Sequence, residues 1–357
     1  MVRNGTDTLT VSTRHGRFAF VRVRLRDASG READWLPAEQ SAAWQGLCRW
    51  WVNRLSYDEC AYLQRAFQGE SAQSADALWR FVQKQALQEE QRMAAAIAAA
   101  ADKELPACEA VADVYAPEGE EFVVFTDGIG VKAQKPTRQR AGQAREAKEA
   151  KRHETDVLQL PRPDGSYEWL CEGLSGQWSL VEAARAFLAR TWSGARLSVI
   201  AITDGARCIR EDLHALFGEG VCIVLDWYHL SKRVYENLSR AAPSKTVRKG
   251  WEQSVLAHLW RGRVAEALAF LASVTPRNAE ALAELVGYLD KHRHEIIDYE
   301  RRQQAGRTIG SGQAEKAVDQ VIGMRQKDRG MSWTKAGSRA LALLKVAELN
   351  AKLSRPA

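Results

Sequence analysis

The sequence contains few cysteines and no long apolar run, and each absence excludes a class of protein. Its 357 residues include six cysteines, and no two of them form a C-x-x-C pair: Cys48, Cys60, Cys108, Cys171, Cys208 and Cys222. A disulfide framework and a zinc ribbon are therefore not expected. No window approaches about 18 uninterrupted apolar residues, and no charged segment followed by an apolar stretch opens the chain, so neither a membrane span nor a signal peptide is expected. We therefore expect a cytoplasmic protein.

The composition indicates a mildly basic protein of more than one domain. Lys and Arg number 51 against 45 Asp and Glu, which gives a net charge of +6 and a pI near 9.0. Such an excess favours a polyanionic partner. The length suggests roughly two or three domains. A hydrophobic fraction of 45% is enough for a substantial core.

The N-terminal part of the chain predicts a β-hairpin followed by helices. Residues 17–36 are typical of a hairpin, with the turn at Asp27–Gly30. Ser56 predicts a helix N-cap with a capping box, because Glu59 follows three residues later. Ser74 predicts a second N-cap at the start of a longer helix.

These helices are typical of a helix-turn-helix unit, in which the second N-cap opens the helix that enters the DNA groove. Arg80 and Lys84 would then project toward DNA from the exposed face of that helix. A plain helical packing domain is the alternative, because helical hairpins are common.

From Glu121 to His229 the pattern changes to alternating strands and helices. Three strands come first, followed by a helix, a strand, a helix and a strand, which is a ribonuclease-H-like order. The strands are short and apolar, so we expect an α/β fold whose sheet is covered on both faces. The pattern then becomes helical, and Gly310–Gly312 starts a further helix near the C-terminal end.

These patterns together predict six segments. They are a β-hairpin (1–36), a helical DNA-binding domain (37–102), a linker (103–120), the first part of a ribonuclease-H-like domain (121–229), a helical insertion (230–300) and the last part of that domain (301–357).

Three acidic residues follow elements whose ends can meet at one point. Asp127 and Asp204 each end an apolar run and precede a glycine, and Glu315 lies one turn into the helix that follows Gly310–Gly312. Carboxylates at strand ends lie at the edge where open α/β sheets bind ligands. Three carboxylates suffice for two Mg²⁺ ions that cleave a phosphodiester, and Mn²⁺ can substitute. A simple Asp-Gly turn is the alternative for either aspartate alone.

Asp226 and His229 form a second informative pair after another apolar run. The two residues can support a metal site or a phosphate through a carboxylate–imidazole contact. The alternative is a helix N-cap at Asp226 with a partly buried imidazole. His292 and His294 lie among charges and are expected to face solvent.

A basic group surrounds the last acid and predicts contacts with a DNA backbone. Its members are Lys316, Arg325, Lys327 and Arg329. Trp333 can stack on an unpaired base. A solvated basic face with a core tryptophan is the alternative.

At these residues the sequence resembles bacterial insertion-sequence transposases of the ISKra type, which are DDE enzymes related to the Mutator-like group. The segments that are similar are Cys48–Tyr57, Ile202–Ala206, Leu225–His229, Ile309–Glu315 and Arg329–Trp333. The similarity extends from about residue 40 to about residue 350.

The resemblance implies a ribonuclease-H-like catalytic domain with an all-helical insertion between the second and third acids. It implies that Asp127, Asp204 and Glu315 are the catalytic metal ligands, with Asp156 as the alternative first acid. Asp226 and His229 are implied to support the site. Trp251 or Trp260 would stack on flipped bases or belong to the core.

The expected function is therefore DNA transposition by an N-terminal domain that binds terminal inverted repeats and a catalytic domain that cuts and joins DNA. Double-stranded DNA in the nucleoid is the partner that this function implies, and dimerisation is expected because two element ends must be joined. A silent descendant that only binds DNA is one alternative, and a ribonuclease-H-like nuclease that cuts without joining is another.

Overall fold

The computed structural model describes residues 2–13, 15–26, 41–69, 72–110, 113–135, 151–327 and 331–351. The chain is a mixed α/β protein with a six-stranded mixed sheet. It divides into two compact units. The first unit comprises Met1–Arg92, Val131–His153 and Val321–Ala357, and the second comprises Met93–Gly130 and Glu154–Gln320.

The strands and helices alternate in the middle of the chain, and helices predominate after it. The strands are β1 (Val2–Thr13), β2 (Gly16–Arg26), β3 (Ala107–Glu109), β4 (Phe122–Lys132), β5 (Arg152–Pro161), β6 (Tyr167–Cys171), β7 (Arg196–Thr203) and β8 (Cys222–Leu225). The helices are α1 (Ala42–Val52), α2 (Tyr57–Gln68), α3 (Ala75–Ala100), α4 (Leu180–Thr191), α5 (Arg207–Phe217), α6 (Trp227–Ala241), α7 (Lys245–Trp260), α8 (Val264–Ser273), α9 (Ala279–Lys291), α10 (Tyr299–Gln304), α11 (Gly312–Val318), α12 (Met324–Gln326) and α13 (Lys335–Asn350).

Strand β7 is the centre of the six-stranded sheet. It pairs in parallel with β4 on one side, and with β3 and β8 on the other. Strand β5 lies beside β4, and β6 pairs with β5 in antiparallel register. A Cβ on Gly128 would collide with Asp156, and one on Gly130 would meet Glu154, so β4 and β5 also run antiparallel. The strand order across the sheet is thus β6, β5, β4, β7 and β8, with β3 beside the start of β7.

The core of the second unit joins the sheet to the helices that follow it. Ile200 and Ile202 of β7 are fully buried and belong to the same cluster as Leu230 and Val234 of α6 and Leu285 of α9. β-Branched residues suit a strand that is covered on both faces. Burying each such side chain contributes about 1.5–3 kcal/mol. The cluster therefore holds the C-terminal edge of the sheet against the helical segment.

A buried ion pair stabilises the same unit. Arg302 has no exposed side-chain surface and donates from two nitrogens to the two carboxylate oxygens of Glu121, at 2.9 Å each. Its Nε donates to the carbonyl of Thr308 at 2.8 Å. These two parallel hydrogen bonds compensate both charges for the water contacts that they lose on burial.

In the first unit, the predicted helix caps are present. Ser56 and Glu59 form the reciprocal capping box of α2, and the Ser74 hydroxyl accepts from the backbone N–H of Ala77. The side chain of Asn53 donates to Glu348 of α13 at 2.7 Å. The three predicted N-terminal helices are therefore confirmed as helices.

Three expectations need correction. The N-terminal hairpin consists of β1 and β2, so the strand predicted from residue 17 onward is its second strand. The turn predicted at Asp27–Gly30 lies outside the described residues. The predicted linker 103–120 contains β3, which extends the sheet as an edge strand. Residues 321–357 group with the N-terminal helices and not with the sheet.

Among the described residues, no helix has the length and apolar character that crossing a membrane requires.

We expect Arg302→Met to lower the free energy of unfolding by about 3 kcal/mol, because Glu121 would keep only the longer contact with Arg307, at 3.7 Å. Urea denaturation measures this change. Arg207→Met is the control: Arg207 pairs with Glu211 on the surface, so its loss is expected to leave the denaturation midpoint unchanged. Equal midpoints for Arg302→Met and the natural protein would contradict the assignment.

Candidate active site

Asp127 and Asp204 lie on one face of the sheet, at the point where two parallel strands separate. The pairing of β4 with β7 ends at Phe125 and Ile202, and each aspartate follows two residues later. Successive side chains in a strand alternate between faces, so each aspartate shares the face of its strand's last paired residue. Phe125 and Ile202 belong to one core cluster, which confirms that this face is common to both strands.

Glu315 is brought to the same place by α11. The preceding residue, Ala314, packs in the core cluster of Phe125 and Ile202, whereas Glu315 itself is exposed. Its charge acts on Asp127: burial raises the pKa of Asp127, and the charges of Asp204 and Glu315 raise it further. The charges of Asp204 and Glu315 thus both reach Asp127.

One detail of the prediction for Asp127 is wrong. The apolar run was expected to end the strand, but β4 continues through Asp127 to Lys132. The reason is that β5 pairs with this second half of β4 after β7 has diverged. Asp127 is therefore at an edge with respect to β7 and inside the strand with respect to β5.

Asp156, the alternative first acid, lies on the opposite face. It lines a small cavity with Thr126, Leu180 and Leu213, under helices α4 and α5. Burial raises its pKa to about 6, and the neighbouring charges of Glu172 and Asp212 contribute. The placement of Asp156 among a separate acidic group favours Asp127 as the first acid of the site.

The donor chemistry of the three acids fits Mg²⁺, which prefers carboxylate oxygens and water. Each aspartate has one oxygen engaged by backbone: Oδ1 of Asp127 accepts from Gly128 N–H and Oδ1 of Asp204 from Ala206 N–H, both at 2.8 Å. Within the described part of the chain, no three His, Cys, Asp or Glu side chains stand close enough to hold an ion as they are.

Asp226 links the segments that bear the second and third acids. Its backbone N–H donates to the carbonyl of Thr203, next to Asp204, at 2.8 Å. Its Oδ2 accepts a short hydrogen bond from the N–H of Ser311, whose carbonyl begins the helix of Glu315. Asp226 is only 1% exposed. Asp226 is therefore a positioning residue. Its carboxylate holds the start of α11, and its backbone N–H holds the end of β7.

His229 completes this arrangement. Oδ1 of Asp226 accepts from the backbone N–H of His229 at 2.7 Å and contacts its Nδ1 at 3.2 Å. The hydrogen bond to Asp226 raises the pKa of His229, and the charges of Asp204 and Asp127 add to the effect. Asp226 is also the N-cap of α6, as the capping alternative predicted.

His292 is a buried residue that the sequence interpretation missed, and it packs against the turn that follows Asp204. His292 was expected to face solvent but is only 2% exposed, whereas His294 is exposed as predicted. Nδ1 of His292 lies 2.6 Å from Glu295, and Arg210 pairs with the same glutamate. A Cβ on Gly205, where φ is +82°, would lie 2.7 Å from the His292 ring. The Asp204–Gly205 turn therefore packs directly on His292, and glycine is required there.

The residues predicted to contact DNA divide into exposed and buried ones. Arg80, Lys84, Lys316 and Lys327 are exposed, and Arg80 pairs with Asp76 of its own helix. Arg325 is buried, donates to the carbonyl of Val52 and lies 4.9 Å from the ring of Trp333. Trp333 is 9% exposed, and its indole N–H donates to the carbonyl of Gln326. Arg329 lies outside the described residues.

Arg325 and Trp333 therefore form part of the packing of the first unit, contrary to the expected DNA contacts. Trp260 likewise belongs to the core alternative: its ring packs edge-on against Trp227, with centroids 4.8 Å apart. Trp251 is partly buried against the same cluster.

A family model described as an uncharacterised protein family, UPF0236, matches residues 166–357. The matched region includes Asp204, Asp226, His229 and Glu315, and begins after Asp127. No curated protein matches the chain.

We expect Asp226→Asn to lower the pKa of His229 toward its usual value of about 6.5, because the charged acceptor is lost. Ring NMR signals of histidine measure this pKa, and His229→Gln assigns the signal. The raised pKa in the folded protein contributes stability that is fully present below about pH 6.5 and is lost as pH rises through the folded value. In Asp226→Asn this loss should disappear from urea denaturation at increasing pH. An unchanged His229 pKa would contradict the pairing.

Proposed function

This chain belongs to the UPF0236 family, and we propose that it is a DNA transposase of the DDE type. The observation that supports the proposal most directly is that Asp127 and Asp204 lie on one face of the sheet, where the charges of Asp204 and Glu315 both raise the pKa of Asp127. A cation bound beside Asp127 would neutralise this repulsion. The family is associated with transposase-like proteins of insertion sequences, in agreement with the sequence resemblance.

We assign the sheet to a ribonuclease-H-like domain, and its strand order and directions support this assignment. Three antiparallel strands, β4, β5 and β6, are followed by β7 and β8, which run parallel to β4. The segment α6–α10 lies between the second and third acids and provides the helical insertion that the resemblance implies.

In this proposal Asp127, Asp204 and Glu315 hold two Mg²⁺ ions. When bound, the ions supply an activated oxygen nucleophile, stabilise the leaving oxygen and neutralise charge on the phosphodiester. The chain's own contribution is orientation: Asp226 fixes α11 and Asp204 through backbone hydrogen bonds, and His292 supports the Asp204–Gly205 turn. His229 places a positive charge beside the acids when it is protonated.

Cutting and joining both require DNA that is held near the acids. We assign recognition of terminal inverted repeats to the N-terminal helices α1–α3 as a helix-turn-helix unit, with Arg80 and Lys84 on the exposed face of α3. Lys316, next to Glu315, is exposed and suited to a phosphate contact. Two element ends need two active sites, so the proposal includes a homodimer or higher oligomer on DNA.

A nuclease that cuts without joining is the second candidate, and the same three acids support it. A descendant that binds DNA without cutting would have no need of acids that remain on one face. The proposal therefore depends on an assay that separates binding, cutting and joining.

The first experiment is a cleavage and strand-transfer assay with DNA that contains the ends of the element, in Mg²⁺ or Mn²⁺. We expect nicking and joining by the natural protein, and loss of both by at least about a hundredfold in Asp127→Asn, Asp204→Asn and Glu315→Gln. Asp156→Asn is the matched control, because this half-buried carboxylate lies on the opposite face of the sheet. It should retain activity.

Each other result has a distinct meaning. Metal-dependent nicking without joining would favour the nuclease, and tight DNA binding without cleavage would favour the silent descendant. Full activity of Asp204→Asn would overturn the proposed site, and loss with Asp156→Asn but not Asp127→Asn would reassign the first acid.

A further inference from the structure

Two tyrosines are exposed on the helix that starts at the candidate active site. Tyr228 and Tyr235 of α6 are 57% and 45% exposed. They are seven residues apart, so they lie on the same face of the helix, about 10 Å apart along its axis. The ring of Tyr228 contacts the ring of His229, with centroids 5.6 Å apart. This row of tyrosines therefore begins beside the Asp226–His229 pair.

The surroundings of the two rings are basic. Residues 227–252 contain six Lys or Arg against two glutamates. Arg248 of α7 lies over the ring of Tyr235 at 4.8 Å, and its Nη1 donates to the Ser239 hydroxyl at 3.3 Å. Lys232 and Lys249 are exposed, and neither forms an ion pair within the described residues. Arg248 also pairs with Glu252, at 4.0 Å. The surface thus combines exposed tyrosine rings with an excess of positive charge.

The tryptophans of the same helices differ from these tyrosines. Trp227 and Trp260 pack against each other and against Tyr299 in the core. Tyr228 and Tyr235 are therefore not needed to fill the core. Aromatic rings exposed beside cations suit unpaired bases, which stack on the rings while their phosphates meet the cations. In a duplex the bases are stacked on each other, and the rings would find no partner.

We propose that the face of α6 and α7 formed by Tyr228, Lys232, Tyr235, Arg248 and Lys249 binds single-stranded DNA next to the active site. The proposal rests on the proposed function for the identity of the polymer as DNA. Bases of the strand stack on Tyr228 and Tyr235, and Lys232, Arg248 and Lys249 contact its phosphates. A strand bound in this way would lead directly from His229 along α6.

The test is binding of fluorescein-labelled DNA to the full-length protein, measured by fluorescence anisotropy with EDTA present. Single-stranded and duplex oligonucleotides of the same sequence are compared, together with single-stranded RNA. We expect Tyr228→Ala and Tyr235→Ala each to weaken single-strand DNA binding by about tenfold. Tyr228→Phe should keep the natural affinity, because phenylalanine retains the ring on which a base stacks. Duplex binding should change much less.

Tyr62→Ala is the matched control, because Tyr62 is 72% exposed on α2 and should not affect single-strand binding. Unchanged single-strand affinity in both alanine variants would overturn the proposal, as would equal losses for single strand and duplex. Tighter tyrosine-dependent binding of RNA would also overturn it. EDTA removes the metal that cleavage requires, so the assay measures binding alone. Its result is therefore independent of the proposed function: a protein that never cuts DNA can still show this binding, and an active transposase can lack it.

Discussion

The carboxylate of Asp226 is the contact on which the candidate site depends. It is buried, and its three acceptor contacts go to the backbone and ring of His229 and to the N–H of Ser311. Burial alone would raise the pKa of Asp226, but these hydrogen bonds hold it below its usual value. The charged form is thus maintained without solvent, and it connects the ends of β7 and β8 to the helix of Glu315.

This constraint explains why residues far apart in the chain form one site. Asp127 and Asp204 need only the parallel pairing of β4 with β7, which places them on one face. Glu315 comes after the whole helical segment, so its position depends on how α6–α10 return the chain to the sheet. The core cluster closes that path, because Leu225, Leu230, Leu285 and Ala314 pack together. The hydrogen bond from the Ser311 N–H to the Asp226 carboxylate then fixes the start of α11.

Local signals in the sequence predicted most of the elements, because capping and strand periodicity act over a few residues. The capping box at Ser56 and Glu59 is an example, since both partners lie within one turn. The acids Asp204 and Glu315 could be identified because glycine-containing turns mark the ends of their elements. Burial was harder to predict, because it depends on contacts between residues far apart in the chain. The carbonyl of Val52 accepts from Arg325, and the turn at Gly205 packs on the ring of His292.

The choice between Asp127 and Asp156 shows why spacing alone was insufficient. Both acids lie on neighbouring antiparallel strands, and the sequence does not reveal the register that decides which face each one occupies. In the structure Gly128 lies opposite Asp156, which puts that carboxylate on the face of Thr126 and leaves Asp127 on the face of Phe125. A shift of β5 by one residue against β4 would turn Asp156 onto the face of Asp127. The small glycine opposite Asp156 therefore favours the register in which the two carboxylates lie on opposite faces.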